Sequence, residues 1–250
     1  MLLAIDVGNT QTVIGLYDAA ELRDHWRIAT SRDRTSDELA VLFRQFIGDA
    51  KVGGMAISSV VPRATSALKG MAKKYFDVPT VVVEAGTKTG MPILTDNPKE
   101  VGADRVVNAI AAYDLYGGPT IVVDFGTATT LDAVSAAGEY LGGVILPGID
   151  ISLDALFARA DKLWRVELIE PRNVIGKNTV ESLQSGAIYG FAAQIDGLCA
   201  RMKAEMGECT VVATGGLSGL IARFTTSIEH LEPWLTLQGL RIVYERNTRT

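Results

Sequence analysis

Leu2-Leu-Ala-Ile-Asp-Val-Gly-Asn-Thr10, followed by the apolar run Val13-Ile-Gly-Leu-Tyr17, is a layout that the chain uses twice. It returns as Ile121-Val-Val-Asp-Phe-Gly-Thr-Ala-Thr-Thr130, followed by Leu131-Asp-Ala-Val134. Each copy reads as a buried strand, an Asp-x-Gly turn with threonine close behind, and a second strand. A turn carrying an aspartate, a glycine and hydroxyls suits a phosphate and its metal ion. Glycine lets backbone N–H groups approach phosphate oxygens, hydroxyls add donors, and the aspartate holds a cation or its waters. Either copy alone also fits an ordinary tight hairpin. Two copies in the same strand context point to a pair of turns gripping one nucleoside triphosphate.

Composition bounds what surrounds these turns. With 250 residues, 48% of them hydrophobic, the chain can build one large domain or two small ones with their own cores. A net charge of −5, from 24 basic and 29 acidic residues, gives neither a nucleic-acid footprint nor a polybasic membrane surface. The apolar start Leu2–Ile5 stops at Asp6 and has no basic flank, so it does not read as a signal peptide. The longest uncharged runs, Ser182–Ile195 and Cys209–Ala222, are too short and too rich in glycine and serine to span a bilayer. Cys199 and Cys209 make neither a metal spacing nor a disulfide framework, and His25 and His230 are the sole histidines. The expectation is a cytoplasmic protein with free thiols and no zinc site.

Along the chain, strands are expected at Leu2–Asp6, Thr12–Tyr17 and Leu22–Ile28. Ser36 then caps a helix with the stripe Leu39, Leu42, Phe43, Phe46 and Ile47, stopped by Gly48. Met55–Val61 reads as a strand ended by Pro62, residues 63–75 as a helix, and Thr80–Glu84 as a strand. Gly86–Glu100 has no periodicity, and a loop of that length in a compact domain is usually functional or mobile. A helix runs from Asp104 until Gly117-Gly118-Pro119 breaks it, which sets the expected boundary between halves 1–117 and 118–250. The second half repeats the opening with strands at Thr120–Asp124, Thr129–Ser135 and Tyr140–Leu146, then a helix at Ile149–Arg159. Asp161–Lys177 reads as irregular. Thr179 caps a long helical stretch containing Gly186, Gly190 and Gly197, which either kink it or admit a close neighbour. A strand at Thr210–Ala213, the turn Thr214-Gly-Gly216, a short helix and a last helix at Thr236–Asn247 complete the reading. Strands in threes, then alternating helix and strand, twice over, imply two similar α/β halves with ligands at strand ends in a cleft between them.

Asp6-Val-Gly-Asn-Thr10 resembles the first phosphate loop of the actin, Hsp70 and sugar-kinase superfamily. Asp124-Phe-Gly-Thr-Ala-Thr129 resembles its second, and Ala213-Thr-Gly-Gly216 its adenosine loop. Asp96-Asn-Pro-Lys-Glu-Val-Gly-Ala-Asp-Arg105 is similar to the Gly-x-Asp-Arg signature of type III pantothenate kinases. Gly142-Gly143 with Pro147-Gly148, and Gly176-Lys-Asn-Thr-Val-Glu-Ser182 followed by Ser185-Gly186, fit the same family, so the resemblance runs from Leu2 to about Asn247. It implies an α/β fold of duplicated ribonuclease H-like (actin-like ATPase) halves, each a mixed sheet flanked by helices. It further implies ATP-dependent phosphorylation of pantothenate, the first step of coenzyme A biosynthesis, with Mg2+, a monovalent cation (K+ or NH4+) and a homodimer. Two other readings fit the superfamily motifs: an ATP-binding regulatory module, and a kinase for another small hydroxy compound.

The resemblance also assigns residues. Asp104 matches the general base that takes the proton from the attacking hydroxyl; the bland alternative is a helix N-terminal aspartate favoured by the dipole. Arg105 suits the pantothenate carboxylate, since its planar fork makes two parallel hydrogen bonds, unless it only pairs with Asp104 or Glu100. Gly102, Ala103 and Thr179 complete the implied substrate set. ATP contacts fall on Asp6, Val7, Gly8, Asn9, Thr10, Gln11, Thr12, Val13 and Thr127. Where the family often carries a tyrosine before Asn-Pro, this chain has Thr95. Asp124 matches the monovalent-cation position. A lone carboxylate there would repel ATP phosphates by about 4 kcal/mol per charge pair at ~4 Å and an effective dielectric near 20. The nearest basic residues in sequence, Arg105 and Arg159, lie well outside its loop.

Overall fold

Residues 1–160 and 162–248 are described by the structure, a computed structural model. The chain divides into two compact units: Met1–Asp114 together with the residues from Leu235 onward, and Leu115–Trp234. The first unit contains β1 (Leu2–Val7), β2 (Gln11–Asp18), β3 (Glu21–Ala29), α1 (Ser36–Ile47), β4 (Gly54–Ser59), α2 (Pro62–Met71), β5 (Thr80–Val82) and most of α3 (Ala103–Tyr116). The second contains β6 (Thr120–Phe125), β7 (Ala128–Val134), β8 (Tyr140–Pro147), α4 (Ile149–Arg159), α5 (Thr179–Ser185), α6 (Phe191–Met206), β9 (Thr210–Thr214), α7 (Ser218–Ile221) and β10 (His230–Leu231). The last helix, α8 (Leu235–Thr248), belongs to the first unit.

Among the described residues the strands form two five-stranded mixed sheets with one wiring plan, β3-β2-β1-β4-β5 and β8-β7-β6-β9-β10. In each, the strand carrying the loop aspartate pairs antiparallel with the next strand and parallel with the fourth. Asp6 stands opposite Val13 and Ser58, and Asp124 opposite Thr130 and Thr214. The duplication reaches the irregularities. The register shifts at Leu16/Tyr17 and again at Ala133/Val134, which occupy equivalent places beside the first residues of β1 and β6.

Each sheet buries its odd-numbered face under helices. Leu3, Ile5, Val7, Met55 and Ile57 pack with Phe43 of α1 and with Leu68 and Met71 of α2. Ile121, Val123, Phe125, Val211 and Ala213 pack with Ile195 and Cys199 of α6. The other face of the first sheet receives α8, whose Leu235, Leu237, Leu240 and Val243 are buried. Burying a side chain of that size is worth about 1.5–3 kcal/mol, so α8 is a structural member of the first unit. The expected half 118–250 includes this helix, and residues 249 and 250 of that half lie outside the described residues.

Helix starts differ from expectation for one reason. Thr35, rather than Ser36, caps α1: its hydroxyl accepts the Glu38 N–H at 3.3 Å, and the Glu38 carboxylate accepts the Thr35 N–H at 2.7 Å. Ser36 is the first helical residue and donates to the Ala67 carbonyl at 2.8 Å, tying α1 to α2. Likewise Asn178, rather than Thr179, caps α5, accepting the Glu181 N–H at 2.9 Å. β4 ends at Ser59, and Pro62 opens α2, where its missing N–H costs nothing. β5 stops at Val82, short of Glu84, and the two-residue β10 was not foreseen. The long helical stretch is interrupted at Gly186–Gly190 by a π-helical turn. A Cβ placed on Gly186, Gly190 or Gly197 would meet nothing within 4 Å. Asp161 of the expected irregular stretch lies outside the described residues; Lys162–Lys177 contains no helix or strand.

Candidate active site

The first Asp-x-Gly turn joins β1 to β2, where the Gly8 N–H donates to the Gln11 carbonyl at 3.0 Å. Thr30, just past β3, braces it three ways. Its N–H donates to the Thr10 carbonyl at 3.0 Å, its hydroxyl donates to the Gly8 carbonyl at 2.8 Å, and it meets the Thr12 hydroxyl at 2.9 Å. Arg27 holds the Gln11 side chain at 3.1 Å. Of the residues implied as ATP contacts, Val7 and Thr12 are buried, Asp6, Gly8 and Val13 half-buried, and Asn9, Thr10 and Gln11 exposed. Thr30 was missed because it becomes visible only through strand pairing: Ala29 stands opposite Gln11, which brings the next residue to the turn.

The second turn joins β6 to β7. Its Gly126 N–H donates to the Ala128 carbonyl at 3.1 Å, and the Gly148 N–H, arriving from the end of β8, donates to the Thr127 carbonyl at 3.1 Å. Thr127 is exposed and Asp124 half-buried. Parallel pairing of β6 and β9 brings the Thr214-Gly215-Gly216 loop alongside. Gly215 has φ +94°, and a Cβ there would lie 2.5 Å from the Asp124 Oδ1 and 2.6 Å from the Phe125 carbonyl oxygen. The glycine is required both by its left-handed backbone and by this close approach. The second Asp-x-Gly turn and the Thr214-Gly215-Gly216 loop are thus one structure at the ends of two neighbouring strands.

Gly102-Ala103-Asp104-Arg105 forms the entry to α3, and all four residues are half-buried. The Asp104 Oδ1 accepts the Arg105 N–H at 2.8 Å, which fixes the carboxylate in the first turn of the helix. Gly102 sits so close that a side chain there would collide with the same oxygen. Upstream, Asn97 caps a short 3-10 turn, Pro98–Glu100, and donates to the Glu100 carboxylate at 2.6 Å. The Thr95 hydroxyl is buried and has no hydrogen-bond partner among the described residues. Thr179 is exposed at the start of α5. Beside it, Glu181 accepts the Lys177 N–H at 3.0 Å and Arg172 Nε at 2.8 Å; the first of these chiefly, then Arg172, holds its carboxyl below the usual range. Asp6, Asp104 and Arg105 belong to the first unit; Asp124, Thr127 and Thr179 belong to the second.

Among the described residues no group of three His, Cys, Asp or Glu could cage a metal ion. A magnesium ion carried by nucleotide phosphates would need one or two carboxylates; Asp6, half-buried at the end of β1, would offer one. At the second loop the converging donors, Asp124 Oδ1 and the Phe125 carbonyl, are hard oxygens of the kind a simple cation takes. Both thiols are buried, and burial pushes the Cys199 thiol up to about 12, which leaves it inert near neutral pH. No helix among the described residues is long and apolar enough to cross a membrane.

Two identically wired sheets, each ending in an aspartate–glycine turn, define a duplicated ribonuclease H-like, actin-like ATPase fold. The chain is similar in fold to a ROK family glucokinase from Streptomyces griseus solved with glucose and AMPPNP, with TM-score 0.50, 12% identity and 98% of each chain covered. It is also similar to component A of the Acidaminococcus fermentans (R)-2-hydroxyglutaryl-CoA dehydratase, with TM-score 0.57, 15% identity and 99% of each chain covered. Sequence narrows the class. The type III pantothenate kinase family model matches residues 2–201. The type III pantothenate kinase of Streptomyces griseus is 56% identical over 261 residues, covering 99% of this chain and 98% of that protein. This chain belongs to the type III pantothenate kinase family.

Proposed function

We propose that this chain is an ATP-dependent pantothenate kinase, which phosphorylates pantothenate to 4'-phosphopantothenate at the entry to coenzyme A biosynthesis. Full-length membership in the family carries the reading, and the Gly-Ala-Asp-Arg segment at the start of α3 supports it. Asp104 acts as the general base. One of its oxygens is committed to the Arg105 N–H, and the other takes the proton of the substrate hydroxyl. Phosphoryl transfer through a loose transition state asks little activation of the nucleophile, so a carboxylate base suffices. Arg105 takes the substrate carboxylate as a two-pronged donor, with Gly102, Ala103 and Thr179 lining the substrate.

The Gly8, Asn9 and Thr10 turn, with Gln11 and Thr127, takes the phosphates through backbone N–H groups and hydroxyls. Asp6 would order the waters of Mg2+, which when bound would supply positive charge to the phosphoryl oxygens. Asp124 with the Phe125 carbonyl would hold K+ or NH4+, whose charge would offset the carboxylate–phosphate repulsion.

The protein works in the cytoplasm as a homodimer. Support for the dimer comes from apolar side chains exposed on the second unit: Leu141 and Ile145 of the edge strand β8, Ile151 and Leu156 of α4, Trp164 and Ile175. The open glycine face from Gly186 to Gly197 supports it further. Sedimentation of a single monomeric species at working concentration would remove the dimer. A coupled assay of ADP release with ATP, Mg2+, K+ and pantothenate tests the activity. Nucleotide binding with no pantothenate-dependent turnover would point instead to a regulatory module, and turnover of a different hydroxy compound to another kinase.

A further inference from the structure

Ser58, the second-to-last residue of β4, is 0% exposed. Its hydroxyl has no hydrogen-bond partner among the described residues. β4 runs parallel to β1 with Ser58 directly opposite Asp6. Register partners on adjacent strands put their side chains on the same face, with backbones about 4.8 Å apart. A serine hydroxyl and a carboxylate so placed are within reach of one hydrogen bond. The face is the one opposite the core formed by Ile5, Val7 and Ile57, and it is the face on which the loop aspartate ends the strand. A buried hydroxyl without an acceptor is a cost that alanine at this position would not carry. The second sheet repeats the pair: Thr214, 1% exposed, stands opposite Asp124 on the equivalent strand.

Resting on the kinase reading, we infer that Ser58 is a positioning residue for the metal–nucleotide complex. Its Oγ–H donates to the Asp6 carboxylate when Mg2+ and ATP bind, and this fixes the oxygen that orders the metal's water. A carboxylate has about four acceptor sites, so the bond adds to whatever Asp6 already holds. The donor is neutral and the acceptor charged, which places the bond in the stronger, shorter class.

Titration calorimetry of a non-hydrolysable ATP analogue, with Mg2+ and again in EDTA, tests this on the full chain. Ser58→Ala is expected to weaken Mg2+-analogue binding about tenfold and to leave binding in EDTA unchanged, without lowering Tm. Ser58→Cys, closer in volume but a poor donor, gives the same Mg2+-selective loss. Combined with Asp6→Asn, Ser58→Ala adds nothing further. In the kinase assay the Mg2+ needed for half-maximal rate rises, and the KM for pantothenate stays fixed. A loss equal with and without Mg2+, a loss fully additive to that of Asp6→Asn, or no loss in either variant overturns the assignment. Mg2+-selective coupling in a protein that shows no pantothenate-dependent ADP release would retain Ser58 and remove the kinase reading, so the two failures are distinct.

Discussion

The first and second sheets place the same backbone bond at the same point and then part company. In each, the residue just after the third strand sends its N–H into the turn: Thr30 to the Thr10 carbonyl, Gly148 to the Thr127 carbonyl. In the first sheet that residue has a side chain, and its hydroxyl adds bonds to Gly8 and Thr12. In the second it is a glycine, because a Cβ would run into the carbonyls of Gly126 and Thr127. The first turn is also longer by a residue, closing Gly8 to Gln11 where the second closes Gly126 to Ala128. The parallel neighbours diverge as well. β4 leads through Val61 directly into α2, whereas β9 leads into Gly215 with its positive φ beside Asp124. Topology delivers an aspartate to the end of each central strand, and local residues then decide what that aspartate serves. Under the proposed function the first is the phosphate and Mg2+ station and the second the phosphate and monovalent-cation station.

The sharpest check on that division comes from a residue outside both turns. Asp104→Asn should lower kcat by about 10²–10⁴-fold and leave ATP affinity nearly intact, because it removes proton transfer alone; steady-state kinetics beside calorimetry measures both. Asp124→Asn should do the reverse, raising the KM for ATP about 10- to 100-fold and flattening the response to K+, since it removes a charged oxygen ligand. If Asp124→Asn kept full activation by K+ over choline at matched ionic strength, the two stations would not be distinct. Gly215→Ala should cost about 3 kcal/mol, from backbone strain and the clash with Phe125, with no counterpart in the first sheet; chemical denaturation measures it.

Asp196 of α6 accepts N–H groups of Thr226 and Ser227, each at 2.9 Å. Burial raises its pKa, but these hydrogen bonds outweigh burial and hold it below the usual range. A depressed folded-state pKa gives stability that is present above the unfolded value and lost as pH falls through the folded one. Asp196→Ala should therefore cost about 1.5 kcal/mol near neutral pH, discounted for solvent screening of this partly exposed group, and progressively less below the ordinary aspartate range, as followed by thermal melts against pH. Smallest is Thr30→Val, about 1 kcal/mol and a few-fold in the KM for ATP. An effect as large as that of Gly215→Ala would mean the hydroxyl brace matters more than the shared backbone bond.

These contrasts also explain what the amino-acid order could reveal. The spans of β6 and α4 were readable almost to the residue because alternating or clustered apolar positions are bounded by Gly-Pro pairs and by the Asp-x-Gly turn. Both helix caps were misplaced by one residue, since Thr35-Ser36 and Asn178-Thr179 each offer two capping side chains. The deciding signal was present: a glutamate stands three residues after the true cap, at Glu38 and Glu181. The aspartates, glycines and Asp104 were legible as motifs because their chemistry is local. Thr30, Ser58 and the placement of α8 were not, since each acquires its role through a strand or helix far away in sequence. The two-residue β10 is too short to carry a period.

The account stands most directly on product stoichiometry in a single reaction of purified protein with ATP, Mg2+, K+ and pantothenate, following ADP by coupled assay and phosphopantothenate by mass spectrometry. It predicts one phosphopantothenate for each ADP and no ADP above background when pantothenate is left out. ADP that forms at the same rate without pantothenate, or pantothenate that stays unphosphorylated while nucleotide binds, would contradict it.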